Sequence, residues 1–197
     1  MRPIEQVMAK DKIENSSIAW PLERLTRLMR AGEHEGRLNP AQWEALRYLS
    51  RANRFSNSPI ALTRFLGSTK GTISQTIKAL ERKGFIVKAP RQDEGRSICL
   101  SLTPAGAAIL KNDPLTEFSK SLDDLSGKTR RRLAKGLADL LETDLKRREQ
   151  PSFGICSSCR YFREKGSETD ALGPHSCMLF DAALSNADSQ LICVEHA

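Results

Sequence analysis

Residues Ser58–Thr103, SPIALTRFLGSTKGTISQTIKALERKGFIVKAPRQDEGRSICLSLT, read as helix, turn, helix and then a two-stranded ribbon with a polar tip. In the second helix Ile73, Ile77 and Leu80 recur at i, i+4 and i+7, which puts them on one buried face. The opposite face carries Thr72, Ser74, Gln75 and Lys78: short donors and acceptors plus one cation, a set suited to base edges and phosphate oxygens. Ser68 and Thr69 are cap residues for its start, and Gly84 for its end. The apolar pair Phe85-Ile86 opens a strand that ends at Arg91. Gln92-Asp93-Glu94-Gly95 form the tip, and the return strand runs from Arg96 to Leu102. This order of elements is a winged helix-turn-helix, and double-stranded DNA is its expected partner.

Outward from this unit the chain reads as helical. Residues 1–15 are polar and are expected to fray. A helix begins at Ser16 or Ser17, with Pro21 in its first turn and an apolar stripe of Ile18, Leu22, Leu25, Leu28 and Met29. Gly32 and Gly36 break it. Asn39 caps a second helix from Pro40 to about Arg54, whose buried side is Trp43, Leu46, Tyr48 and Leu49. A short helix follows over 59–66. After the ribbon, Thr103 caps a helix that starts at Pro104 and breaks near Pro114. Ser126 caps the last long helix, to about Arg148, with Leu133, Leu137, Leu140, Leu141 and Leu145 on one side. The two terminal stripes have no partner inside so small a winged domain, so a homodimer is expected.

The net charge of +7 is uneven. Residues 151–197 carry a net −3 and residues 1–150 a net +10. A basic body suits a polyanion, since each phosphate contact releases counterions. There is no run of 18 apolar residues and no apolar segment behind the first residues, so the sequence predicts a cytoplasmic protein with no membrane association.

From Ile18 to about Arg148 the chain resembles the MarR family of bacterial transcriptional regulators. LNPAQWEALRYLSRA, STKGTISQTIKALERKGFI and DEGRSICLSLTPAG, in that order, carry the resemblance. It implies a homodimer with interlocked terminal helices, a recognition helix in the major groove and a wing at the adjacent minor groove. It also implies a repressor of a pseudo-palindromic operator, released by a small-molecule effector, a metal or an oxidant. The groove-facing candidates it assigns are Thr69, Lys70, Thr72, Ser74, Gln75 and Lys78. Gln75 reads a base, because its amide can pair with adenine through two hydrogen bonds, while Lys70 and Lys78 grip phosphate. At the wing Asp93, Glu94 and Arg96 fill the family's places, but Gly95 stands where a second arginine is common. Minor-groove insertion is then either weaker or shared by Arg91. Arg64, one helix earlier, is a candidate backbone contact. Taken singly, each of these cations is also what any solvated helix face carries.

The expected domains are a flexible 1–15, a MarR-like unit over 16–149 and a cysteine-rich tail over 150–197. The tail lies outside the family pattern. It spaces four of the five cysteines as Cys156-x2-Cys159-x17-Cys177-x15-Cys193. In a reducing compartment such clusters bind metal more often than they form disulfides. A small segment of this kind needs a crosslink to offset its ordering entropy. Zn2+ held by four thiolates is the simplest occupant; an iron–sulfur cluster on the same ligands and redox-active thiols are the alternatives. Phe153, Tyr161, Phe162, Leu179, Phe180 and Leu184 are expected to form an apolar shell around the site. His175 and His196 are expected bystanders, although His196 could stand in for a cysteine. The fifth cysteine, Cys99, alternates with Ile98 and Leu100, so either face of its strand is open to it.

The fold class expected is mainly α with a small β-wing, plus a metal-stabilised C-terminal appendage. An enzyme is not expected: there is no glycine-rich phosphate loop, no HExxH and no Ser/His/Asp set in context. A protein-interaction module is the rival, with the winged helix serving assembly and the tail docking a partner.

Overall fold

The computed structural model describes residues 13–33, 38–91, 97–166 and 172–197. Helix α1 spans Ser16–Glu33 and α2 Pro40–Leu49. The central unit is α3 (Pro59–Phe65), α4 (Lys70–Arg82) and the antiparallel hairpin β1 (Ile86–Pro90) with β2 (Ile98–Leu102). Then come α5 (Pro104–Ile109), a 3-10 turn at Leu110–Asn112, α6 (Pro114–Asp123) and α7 (Gly127–Arg147). The tail contributes short strands β3 (Gly154–Ile155), β4 (Phe162–Arg163), β5 (His175–Cys177) and β6 (Ala182–Leu184), helix α8 (Asn186–Ser189) and β7 (Ile192–Cys193).

Local chemistry sets the boundaries. Asn39 closes a reciprocal capping box with Gln42 at the start of α2, and Pro40 follows it. Thr69 accepts from the Thr72 amide at 3.2 Å and so caps α4. That helix ends as a Schellman turn: Phe85 N–H bonds the Leu80 carbonyl, Gly84 N–H bonds that of Glu81, and Gly84 takes φ 73°. Thr103, Asp113 and Ser126 cap α5, α6 and α7. Pro21 is the sixth residue of α1, beyond the first turn where the sequence reading put it.

The core sits between α2, α3, α4 and the hairpin. Leu46, Leu62 and Leu80 are fully buried there, with Tyr48, Ile73, Ile86 and Leu100 around them. The Tyr48 hydroxyl donates to the Ser56 carbonyl at 2.7 Å, so its polar end is satisfied. One ionic cluster ties the flanking helices to this core. Arg47 donates from Nη1 to Glu33 Oε1 at 2.6 Å, and from Nε and Nη2 to the Asp113 carboxylate at 2.7 and 2.5 Å. It thus joins the end of α1, the last turn of α2 and the cap of α6. Burial alone would raise the Asp113 carboxyl, but hydrogen bonds from Arg47 and the Leu115 amide, with the guanidinium charge, leave it below its usual value.

Two expectations about the helices change here. The second helix stops at Leu49 instead of near Arg54. Its continuation is taken by the tail: Ile192 N–H donates to Arg51 O at 2.6 Å and Asn53 N–H donates to Ile192 O at 2.9 Å. These bonds make a parallel bridge at Ala52 that a continued helix could not form. Nor is the tail an appendage with only a thin shell of its own, because Ile192 and Val194 are part of the main core.

Candidate nucleic-acid interface

Helix α4 presents two chemically opposite faces. Ile73, Thr76, Ile77 and Leu80 are buried, and the buried Thr76 hydroxyl is satisfied by the Thr72 carbonyl at 3.0 Å. Lys70, Thr72, Ser74, Gln75 and Lys78 are all exposed, and Thr69 at the cap is exposed beside them. The six candidates assigned to this helix therefore share one solvent-facing side. Spacings of three and four residues among Thr72, Gln75 and Lys78, and between Ser74 and Lys78, place them within one groove-width stripe.

The hairpin stands beside this helix in a fixed register, Ile86 opposite Leu102 and Pro90 opposite Ile98. Leu100 N–H donates to the Asn57 carbonyl at 2.7 Å, anchoring the return strand to the segment ahead of α3. The base of the wing is tied down again by Arg91. Its guanidinium donates to the Arg54 carbonyl at 2.7 Å and to Asn57 Oδ1 at 3.0 Å. Arg91 thus has an internal structural task at the base of the wing. Arg96, like Asp93, Glu94 and Gly95, lies outside the described residues. Arg64 is exposed on α3 and forms an ion pair with Glu195 of the tail at 3.1 Å. On α2, Gln42 also accepts from Lys83 Nζ at 2.8 Å, which ties α2 to the end of α4.

The tail folds onto the back of this unit. Arg54 donates to the Ala183 carbonyl, Phe55 stacks on Phe180 with centroids 4.3 Å apart, and Val194 N–H donates to Ser56 Oγ at 2.8 Å. Cys156, Cys159, Cys177 and Cys193 come from different segments yet line one small cavity. Its walls include Tyr161, Phe162, Leu179, Phe180 and Leu184 as expected, together with Asn53 and Phe55 from the winged unit. Phe153 goes elsewhere, edge-on to Phe65 at 4.9 Å. Burial, and then the neighbouring Cys193, Cys177 and Cys159, push the Cys156 thiol up to about 11. Among the described residues no three His, Cys, Asp or Glu side chains are grouped to hold a single metal ion. Both histidines are engaged away from the cavity. His175 bonds Asn186 and accepts from the Lys165 amide, and His196 bonds Ser158. Asn53, Ser56, Phe55 and Glu195 were not singled out from sequence. Their roles depend on pairings across more than 120 residues that no local pattern announces.

A winged helix-turn-helix with a polar recognition face is the class of protein these elements define. Residues 38–98 match the model of the MarR family. Solved structures share the fold. A MarR transcriptional regulator from Methanosarcina mazei is 20% identical, with a TM-score of 0.56 over 66% of this chain and 96% of that one. FabT of Streptococcus pneumoniae, solved in complex with DNA, is 20% identical with a TM-score of 0.53, over 66% and 93%. The S. aureus MepR–DNA complex is 18% identical with a TM-score of 0.53, over 67% and 99%. No curated protein matches the chain. Among the described residues no helix is long and apolar enough to cross a membrane.

Proposed function

We infer that this protein is a DNA-binding transcriptional regulator acting as a homodimer, and that it represses from a pseudo-palindromic operator. The observation that carries the inference is the exposed stripe of Thr72, Ser74, Gln75 and Lys78 on a helix whose other face is locked into the core. Such a face can enter the major groove without unfolding anything. The family match and the fold shared with two proteins crystallised on DNA support it. Gln75 reads base edges, Lys70 and Lys78 neutralise phosphates, and Thr69, Thr72 and Ser74 set the register. Arg64 reaches the backbone only by exchanging Glu195 for phosphate.

Dimerisation accounts for the apolar side chains the single chain leaves in water. Ile18, Trp20 and Leu28 on α1, and Leu133, Leu137, Leu140 and Leu141 on α7, are all exposed. A second copy packing these stripes removes them from solvent and places two recognition helices on one two-fold axis. A small-molecule effector would fit the crevice between α3 and the C-terminal end of α7, lined by Phe65, Leu66, Leu141, Leu145 and Phe153. Ligands there would bias the angle of α7 against the winged unit.

Mobility-shift assays with fragmented genomic DNA test the function. Selective retention of a few fragments over scrambled competitor is expected. Equal retention of all sequences would assign the winged helix to assembly instead.

A further inference from the structure

We propose that Cys156, Cys159, Cys177 and Cys193 ligate one iron–sulfur cluster, and that this cluster latches the tail onto the helix-turn-helix so that its presence raises DNA affinity. The regulatory half rests on the DNA-binding function inferred above; the cluster half does not.

The donor set is four thiols around one cavity walled by aromatic and leucine side chains. Four cysteines are the ligand set of both [2Fe–2S] and [4Fe–4S] centres. A single zinc ion demands sulfurs on a tight tetrahedron, each about 2.3 Å from the metal. In a cluster each thiolate meets a different part of one core, and metal and sulfide analysis separates that centre from a single zinc ion. Assembly releases one proton from each thiol as its iron–sulfur bond forms.

A second feature of the cavity points to a ligand. Asn53 is 1% exposed and lines the same space. Its Oδ1 accepts from the Phe55 amide at 3.1 Å, which fixes the amide orientation, and Nδ2 has no partner among the described residues. A buried amide donor left unmatched costs stability unless something accepts from it. A cysteinyl or inorganic sulfur of a cluster supplies that acceptor, and such hydrogen bonds tune cluster potentials.

The latch follows from what Cys193 precedes and follows. Ile192 is bonded to Arg51 and Asn53, Val194 to Ser56, and Glu195 to Arg64. The segment 51–57 so held also carries the Arg54 and Asn57 oxygens that fix Arg91 and β2. Without the crosslink the segments that carry Cys156, Cys159 and Cys177 lose their tie to Cys193, and the brace at the base of the wing is weakened.

The full-length protein purified without oxygen should be brown, with iron and acid-labile sulfide in comparable amounts. Chelation after oxidation should bleach it and weaken operator binding by at least tenfold. Cys159→Ser should do the same, while far-ultraviolet circular dichroism shows the winged unit retained. Asn53→Asp, which keeps the acceptor for Phe55 and removes the donor, should keep the colour and move the cluster potential to a more negative value. Stoichiometric zinc without sulfide would overturn the cluster. Equal affinity for DNA with and without the cluster would overturn the latch. A brown protein that binds no DNA in either state would refute the regulatory half and leave the cluster standing.

Discussion

Replacing Arg47 by Met should loosen the joint between the terminal helices and the winged unit. The guanidinium meets two carboxylates that are nearly out of water, with side-chain exposures of 6% for Glu33 and 11% for Asp113. Removing one partner of a buried ion pair costs about 3–5 kcal/mol, because the remaining charge is stranded. Arg47 itself keeps 20% of its side chain exposed, so water can reach the gap, and the expected loss at pH 7 falls to about 2–4 kcal/mol. The pH dependence follows from Asp113, whose pKa is lowered in the folded state. Its stabilisation is present above the unfolded aspartate value of about 3.9 and is lost as pH falls through the lower folded value. In the variant the Asp113 carboxyl can be protonated without that loss, so the deficit should shrink below about pH 4. Urea unfolding of both proteins at pH 7 and in acid measures this, with Asp113→Asn and the double variant completing a cycle. A deficit under about 1 kcal/mol at pH 7, or one that stays constant into acid, would refute the buried-pair explanation.

Gln75→Ala should flatten base preference at one operator position at a cost of about 1–3 kcal/mol; an equal loss on every sequence, measured by anisotropy titration, would make Gln75 a backbone contact instead. Lys78→Ala should lower the slope of log affinity against log salt by about 0.9 per half-site, about 1.8 for the dimer, and an unchanged slope removes Lys78 from the phosphate set. Leu137→Glu with Leu141→Glu should turn the dimer into monomers in sedimentation runs while the winged unit stays folded; a persistent dimer places the interface elsewhere. Gly106→Ala should destabilise by about 1–3 kcal/mol, because an added Cβ collides with the Phe85 carbonyl, in the turn that leads into β1; an unchanged denaturant midpoint would contradict that close approach.

Much of the winged unit is written locally. Period-four apolar spacing put Ile73, Ile77 and Leu80 inside, and the caps Asn39, Thr69, Thr103 and Ser126 all stand where side-chain chemistry called for them. The exposed face of α4 is the complement of its buried one, so which of its side chains face solvent was legible too. What the sequence hid is long-range. Nothing near Arg54 says that its helix has already ended, because the strand that claims Arg51 and Asn53 is Ile192, some 140 residues later. The same distance hid Asn53 in the cysteine cavity and Glu195 beside Arg64. Arg91 read as a wing cation because its charge is local information, whereas its acceptors on Arg54 and Asn57 are set by tertiary packing.

Hydroxyl-radical footprinting of the full chain on a selected genomic fragment tests most directly whether two copies of α4 read DNA. Two protected half-sites related by a dyad, with centres about 34 Å or one helical turn apart, are predicted, and Gln75→Ala should weaken the protection without moving the frame. Protection of a single unpaired half-site, or none above scrambled duplex, would contradict it.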